Sequence, residues 1–241
     1  MSLHDILQHR RAIRSFDPDK KLDDAVVRRC IELSVLAPTS SNMQLWEAYH
    51  VTDPEVLKTL AHACLDQSTG NTAQQMVVFV TRQDKYREHA ETVLEQNIDN
   101  IRRTSPEERQ ENRIKRMMVY YGKVMPLLYA RCFGLLGAFR KTASFFTGLF
   151  RPIVRQVSES DVRVVVHKSC ALAVQTFMLA MSEAEYDTCP VEGFDSRLVR
   201  KALNLPCGAE VNMIITCGIR KPTGVWGERL RLPFESYYHK V

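Results

Sequence analysis

Two clusters of arginines at opposite ends of the chain are the feature that most constrains its fold. The segment RRAIRSF begins at residue 10, and the segment GERLRLP ends at residue 233. Arginine stays charged and binds two oxyanion oxygens through its planar fork, so converging guanidiniums suit a phosphate. A fold that uses both clusters in one site must bring the chain ends together; the alternative is that these arginines are solvated surface residues. The clusters contain Arg10, Arg11, Arg14, Arg229 and Arg231.

The pattern of apolar residues predicts an α+β fold, which we expect to form one domain over residues 1–241. A hydrophobic content of 45% supports a sizeable core. The predicted strands, which alternate or are rich in β-branched residues, are 46–51, 76–81 and 211–218. The predicted helices are a short one capped by Ser2 and Asp5, one from Asp23 or Asp24 to about Leu36, then 56–65, 86–121 and a buried central helix over 162–183. Residues 222–233 have the turn content of a surface arm.

Several signatures of other functions are missing from the sequence. There is no GxGxxG, GxxxxGK[ST], HExxH or GxSxG motif, so dedicated dinucleotide, triphosphate, zinc-protease and serine-hydrolase sites lack their signatures. The seven cysteines include no CxxC pair, which favours neither a zinc site nor a disulfide framework. The first residues lack the apolar core of a signal peptide, and we therefore expect a cytoplasmic location.

A basic and aromatic stretch at about residues 109–158 differs from the rest of the chain. Between residues 109 and 155 it holds ten lysines or arginines and a single acid, Glu111. Its bases interrupt every apolar run well before the roughly 20 residues that span a bilayer. Three interpretations stay open: a helical pair packed on the body or across a dimer, an active-site lid with aromatics such as Tyr120 and Tyr121, or weak peripheral membrane contact through 120–155. Nucleic-acid binding is not favoured, because the bases alternate with large aliphatic residues.

Two internal segments, together with the arginine clusters, resemble the FMN-dependent nitroreductase family. They are LAPTSSNMQLW at 36–46 and DTCPVEGFD at 187–195. Each is an ordinary turn or loop by itself, and their order and spacing carry the resemblance. It covers both ends and the centre of the chain and leaves roughly 85–160 unmatched. The resemblance implies a nitroreductase-like fold, with a central mixed, mostly antiparallel sheet flanked by helices in an intertwined homodimer.

The resemblance also implies which residues hold FMN. The two arginine clusters would contact the phosphate and ribityl chain, and Arg14 would approach the pyrimidine edge of the ring. The 38–42 segment would lie along the ring from the other subunit, and the backbone N–H of Glu192 or Gly193 would donate to N5. No catalytic side chain or metal ligand is implied, because flavin N5 is the reactive centre. The implied cofactor-binding residues are Arg10, Arg11, Arg14, Pro38, Thr39, Ser40, Asn42, Asn71, Ser169, Pro190, Val191, Glu192, Gly193, Arg229 and Arg231.

Three positions depart from the family pattern. Ala12 stands where a serine hydroxyl commonly helps to hold the phosphate, and Leu45 replaces the usual proline before Trp46. Gln74 stands where some relatives have a lysine. The main phosphate charges remain, so we expect FMN binding to survive, while the electrostatics at the edge of the ring differ.

The implied activity is that of an FMN-dependent NAD(P)H oxidoreductase. NADH or NADPH would be the transient electron donor, and a nitroaromatic, a quinone or a related flat electrophile would be the small-molecule acceptor at the same place, in a ping-pong mechanism. A bound redox cofactor also explains why no catalytic dyad is evident. The alternatives are other flavin chemistry, such as reductive dehalogenation or oxidation of a heterocycle, and a non-catalytic flavin-binding or membrane-surface protein.

Overall fold

A four-stranded sheet lies at the centre of the computed structural model, which describes residues 2–241. The strands are β1 (Trp46–Val51), β2 (Gln75–Thr81), β3 (Asp187–Val191) and β4 (Glu210–Gly218). They are ordered β1-β2-β4-β3, and each neighbouring pair is antiparallel. Residues 12–16 extend this sheet beside β3 through a parallel bridge between Ala12 and Thr188. The expected α+β fold with a mixed, mostly antiparallel sheet is therefore confirmed.

Helices cover both faces of the sheet, and β2 is therefore buried along its whole length. Its side chains alternate between two core clusters. Val77 and Phe79 pack with the central helix on one face, and Met76, Val78 and Val80 pack on the other. The helices are α1 (Leu3–His9), α2 (Asp24–Ser34), α3 (Pro54–Ala63), α4 (Ser68–Asn71), α5 (Tyr86–Thr104), α6 (Glu107–Val119), α7 (Met125–Tyr129), α8 (Leu135–Thr147), α9 (Glu159–Glu183) and α10 (Ser196–Ala202).

The central helix α9 begins at a capping box and packs against α2 and all four strands. Ser158 accepts a hydrogen bond from the Asp161 backbone N–H, and the Asp161 carboxylate accepts one from the Ser158 N–H. Among the described residues, α9 is the one helix whose length and apolar composition would suffice to cross a membrane. Its eleven buried side chains contribute instead to the protein core.

The elements differ from the sequence prediction, which omits the short helices α4 and α10, divides one helix differently and misses one strand. Residues 86–121 form two helices, because Ser105 is extended and Pro106 follows it. Strand β3 was not predicted, since its sequence DTCPV combines turn residues with a proline. It lies at the edge of the sheet, where Pro190 is tolerated because an edge position need not donate a hydrogen bond.

The basic stretch is helical and packs on the body of the protein. It comprises most of α6, a π-helical turn at Tyr120–Val124, α7 and α8. Tyr121, Met125 and Tyr129 join a third core cluster with residues from α5 and α9. Large apolar side chains on its outer side remain exposed, including Phe133, Phe139 and Phe150.

Candidate functional site

The two arginine clusters form one cleft. Its volume is about 330 Å³, and side chains from both ends of the chain line it. The lining residues are Arg10, Arg11, Ala12, Arg14, Trp226, Arg229 and Arg231. The fold therefore brings together all five arginines that the sequence analysis named.

Backbone contacts hold the two chain ends against each other. The Arg14 N–H donates to the Gly224 carbonyl over 2.7 Å. A Cβ at Gly224 would lie 2.3 Å from the Ser15 carbonyl oxygen, so only glycine permits this approach. Arg229 donates to the carbonyls of Gln8 (3.0 Å) and Arg10 (2.7 Å), and Arg11 donates to the Gly227 carbonyl (3.0 Å). The arginines thus fasten the C-terminal segment to the end of α1.

The charge of this cleft is not balanced within the chain. In the part of the chain that the structure describes, none of its five guanidiniums forms an ion pair with a carboxylate. Burial lowers the pKa of Arg10, and the neighbouring positive charges of Arg229 and Arg231 lower that pKa further. The close neighbour Arg220, in contrast, binds Asp187 and donates to the His9 carbonyl. The cleft is therefore a concentration of positive charge suited to an anion with several oxygens.

Arg14 connects the cleft to the edge strand β3. Its guanidinium carbon lies 5.8 Å from the centre of the Trp226 ring, and its Nη1 lies 3.9 Å from the Cys189 sulfur. Trp226 was not named from the sequence, and only this tertiary contact identifies it. Strand β3 ends with the predicted flavin-contacting residues Pro190 and Val191, and Glu192 and Gly193 follow it directly.

The predicted residue Asn71 is the last residue of the short helix α4, and the turn before this helix contacts the segment after β3. Its Nδ2 donates to the Asp66 carbonyl over 2.8 Å. In that turn Gln67 Nε2 donates to the Gly193 carbonyl over 3.1 Å. The Asn71 amide therefore stabilises this turn, and its role at the cofactor stays a prediction.

The 38–42 segment and Ser169 form a separate group that does not line the arginine cleft. Thr39 Oγ1 accepts a hydrogen bond from the Gln44 N–H, and Ser40 N–H donates to Ser169 Oγ over 3.1 Å. Ser169 is buried on α9, so its hydroxyl positions this segment. Asn42 is exposed and has a φ of 51°. One chain therefore carries the predicted cofactor-binding residues in two separate groups, the arginine cleft with the end of β3, and the 38–42 segment with Ser169.

The basic stretch contacts the 38–42 segment through two adjacent tyrosines. The Tyr120 and Ser41 hydroxyls are 2.8 Å apart, and the Tyr121 hydroxyl donates to the Ser41 carbonyl over 3.0 Å. The π-helical turn places both rings on the same side of the chain, and such turns are frequent at functional sites. The stretch therefore contacts the 38–42 segment as well as the protein core, and its action as a lid stays a prediction.

The departures from the family pattern have visible consequences. Ala12 lines the cleft and offers no hydroxyl. Gln74 donates through Nε2 to the Asp17 carbonyl over 2.7 Å, while its Oε1 is buried without a donor. Leu45 is buried in the third core cluster, where an apolar side chain fits.

Comparison with known proteins identifies the family of this chain. The model of the nitroreductase family matches residues 7–219. Protein DrgA of Synechocystis sp. is 26% identical over 220 residues, which cover 91% of this chain and 85% of DrgA. The solved structure of ydfN from Bacillus subtilis superposes with a TM-score of 0.72 at 19% identity, covering 98% of this chain and 97% of ydfN.

A second solved structure, from Exiguobacterium sibiricum, was determined in complex with FMN. It has a TM-score of 0.67 at 18% identity and covers all of this chain and 98% of its own. The unbalanced arginine charge in the cleft fits the phosphate of such a cofactor. This chain belongs to the nitroreductase family and is, as a member of it, an FMN-dependent oxidoreductase.

Proposed function

We propose that this protein transfers electrons from NADH or NADPH to a flat electrophile, such as a nitroaromatic or a quinone, with donor and acceptor using the same place in turn. The observation that carries the proposal is the arginine cleft, whose five guanidiniums have no carboxylate partner within residues 2–241. Bound FMN supplies the chemistry, since its ring accepts a hydride and returns electrons to a second substrate. The protein binds the cofactor, orients it and tunes its surroundings.

The phosphate and ribityl chain are assigned to Arg10, Arg11, Arg229 and Arg231. These side chains converge from both chain ends, and each can offer two parallel N–H donors to phosphate oxygens. The backbone carbonyls that hold Arg11 and Arg229 orient their guanidiniums before any ligand arrives. An anion therefore meets donors whose positions are already set, which lowers the entropic penalty of binding.

The ring is assigned to the space between Arg14 and the end of β3. Arg14, held over Trp226, places a cation where negative charge develops on the pyrimidine edge of a reduced ring. The backbone N–H groups of Glu192 and Gly193 donate no hydrogen bond to any other described residue, so both can donate to the ring. Pro190 and Val191 hold this backbone in the sheet.

The second half of the site is assigned to the partner in a homodimer. Within the described residues, Pro38, Thr39, Ser40 and Asn42 do not line the arginine cleft, so a second copy would have to bring them to it. The C-terminal arm fits this assembly, because its apolar side chains lie exposed. An apolar groove of about 330 Å³ beside Pro38, between α1, α2 and α9, offers a place for an arm of the other copy. We propose that each chain forms a single domain and that two such chains form the dimer. Its cytoplasmic location stays a prediction.

One place for two substrates accounts for the absence of a second nucleotide motif. A donor that stacks on the ring only transiently needs no dinucleotide-binding unit of its own. Donor and acceptor then compete for this place, so a high concentration of either one slows the reaction by blocking the binding of the other. Initial rates at several fixed acceptor concentrations should give parallel double-reciprocal lines, and intersecting lines would contradict the single shared place.

An absorbance spectrum under anaerobic conditions tests the electron transfer. The purified protein, supplied with FMN, should show a bound-flavin spectrum that bleaches when NADH or NADPH is added and recovers when a quinone follows. Bound flavin that neither nucleotide bleaches would contradict the proposed donor. Free FMN under the same conditions is the control.

Removal of residues 232–241 tests the dimer. The deletion keeps all five cleft arginines but removes Leu232 and Phe234, which are 66% exposed. Light scattering after size exclusion should give a dimer for the full chain and more monomer for the shortened chain. An unchanged dimer would contradict the role of the arm, and a monomeric full chain would contradict the composite site.

A further inference from the structure

A second cavity lies inside the basic stretch, away from the arginine cleft. It has a volume of about 560 Å³ and extends between α7, α8 and the start of α9 to Ser40 and Ser41. Most of its lining is aliphatic or aromatic, with Tyr120, Leu128, Phe139 and Val162 among the larger side chains. A cavity of this size and apolarity is suited to a small organic molecule.

Arg140 is the only charged residue that lines this cavity in the described part of the chain. It is 7% exposed, which is unusual for an arginine without a carboxylate partner. Its Nη1 donates to the carbonyls of Leu127, Leu128 and Ala130 at the end of α7. Its Nε and Nη2 are shielded from solvent and have no acceptor. Burial lowers the pKa of Arg140, which reflects the unfavourable environment of its charge.

The carboxylate of Glu159, whose charge acts on Arg140, forms no ion pair with this guanidinium. It accepts hydrogen bonds from the backbone N–H groups of Cys132 and Gly134, each over 3.0 Å. A buried cation with two unsatisfied nitrogens destabilises the fold unless an acceptor is supplied. The capping of α7 accounts for Nη1 and places the positive charge at the end of that helix, but it leaves Nε and Nη2 without acceptors beside the apolar cavity.

We propose that this cavity binds an apolar molecule with one acidic group, whose oxygens accept from Arg140. The apolar body would lie along the wall formed by Leu128, Phe139 and Val162. Binding requires Arg140 to turn its two free nitrogens towards the cavity that it already lines. The charge-assisted hydrogen bonds formed there compensate for the burial of both charges. The cavity reaches Ser40, which the proposed dimer places at the flavin, but the proposal concerns binding and its test needs no FMN.

Calorimetric titration with a matched pair of probes tests the acidic group. 1-Naphthylacetate and 2-(1-naphthyl)ethanol share one apolar body and differ in whether they carry a carboxylate. The wild-type protein should bind the carboxylate about tenfold more tightly than the alcohol, as expected for hydrogen bonds to a buried charge. Equal affinities would overturn the proposal, and this outcome requires no variant.

Substitutions then test whether Arg140 is responsible. Arg140→Gln keeps a donor for the carbonyls of α7 but removes the charge, and it should abolish the preference for the carboxylate. Arg140→Lys should retain most of that preference. Lys141→Gln removes the same charge from the neighbouring, exposed position and should leave both affinities unchanged. Loss of the preference in Lys141→Gln, or its survival in a folded Arg140→Gln protein, would overturn the proposal.

A variant that narrows the cavity tests the location of both probes. Ala143 lines the cavity from α8. Ala143→Trp should therefore weaken the binding of the carboxylate and the alcohol alike. Unchanged binding of both probes would place them elsewhere on the protein and contradict the proposed site. Circular dichroism of every variant checks that the helices remain.

Discussion

Two groups of basic residues in this protein differ in whether a carboxylate pairs with their positive charge. At the start of β4, Arg131, Arg163 and His167 converge on the Glu210 carboxylate. The hydrogen bond from His167, together with those from Arg163 and Arg131, holds the pKa of Glu210 far below its usual range. In the arginine cleft, guanidiniums converge in a similar way, but their partners within the chain are backbone carbonyls.

The difference separates a structural cluster from a binding site. The Glu210 cluster is complete within one chain, and Arg131 joins the basic stretch to the sheet through it. In the arginine cleft, burial and then the neighbouring positive charges lower the pKa of Arg10, and no carboxylate within residues 2–241 pairs with the cleft. Changes in the first group should therefore affect stability, whereas changes in the second should affect the affinity for FMN.

The largest effect is expected from removing two cleft arginines together. Arg10→Ala with Arg231→Ala should weaken FMN binding by on the order of a hundredfold or more, since each hydrogen-bonded charge contributes about 1.5–3 kcal/mol. The thermal midpoint of the flavin-free protein should not fall, because like charges are removed. Arg28→Ala removes one positive charge from the exposed surface of α2, and it is the control for a general effect of lower net charge on FMN affinity. Fluorescence titration measures the affinity, and equal losses in variant and control would remove the distinction between the groups.

The next effect is a loss of stability on removing the carboxylate of the other group. Glu210→Gln should lower the free energy of unfolding by about 2 kcal/mol at pH 7, since it leaves Arg131 and Arg163 without their anion. Denaturant unfolding measures this loss. FMN affinity should be unchanged, and a large change in that affinity would contradict the separation of the two groups.

The same variant gives a prediction for pH. Because the folded protein holds the pKa of Glu210 below its ordinary value of 4.5, the carboxylate stabilises the fold above that pH. This contribution decreases as the pH falls below 4.5 towards the lowered pKa. The stability difference between wild type and Glu210→Gln should therefore shrink in acid, and a difference that grows there would contradict the assigned ion pairs.

A smaller effect is expected from the single contact that joins the basic stretch to Glu210. Arg131 is more than a third exposed, so Arg131→Gln should lower the free energy of unfolding by only about 0.5 kcal/mol. Amide hydrogen exchange in residues 130–158 should nevertheless become faster, because this stretch loses one of its attachments to the sheet. Exchange that accelerates equally in β2 would indicate global destabilisation instead.

The central helix, three strands and the arginine clusters could be predicted because each has a local signal. Apolar periodicity, β-branched runs and repeated basic residues need no knowledge of the fold. Strand β3 was missed because its tolerance of Pro190 depends on an edge position that only the tertiary fold creates. The role of Trp226 was also hidden, since it depends on contact with Arg14 across the joined chain ends.

The site could be predicted only to the extent that the family resemblance supplied it. The 38–42 segment has an unusual local backbone, with positive φ at Ser41, Asn42 and Gln44, which no propensity argument anticipates. Tyr120 and Tyr121 were named as lid aromatics, but their hydrogen bonds to Ser41 depend on the π-helical turn. Such turns leave no simple periodic pattern in the sequence.

A comparison of FMN with riboflavin tests most directly whether the arginine cleft holds the cofactor phosphate. The two molecules share ring and ribityl chain and differ in that phosphate. The wild-type protein should bind FMN at least about a hundredfold more tightly than riboflavin, and the double variant Arg10→Ala with Arg231→Ala should lose most of this preference. Equal affinity of the wild-type protein for the two flavins would contradict the account.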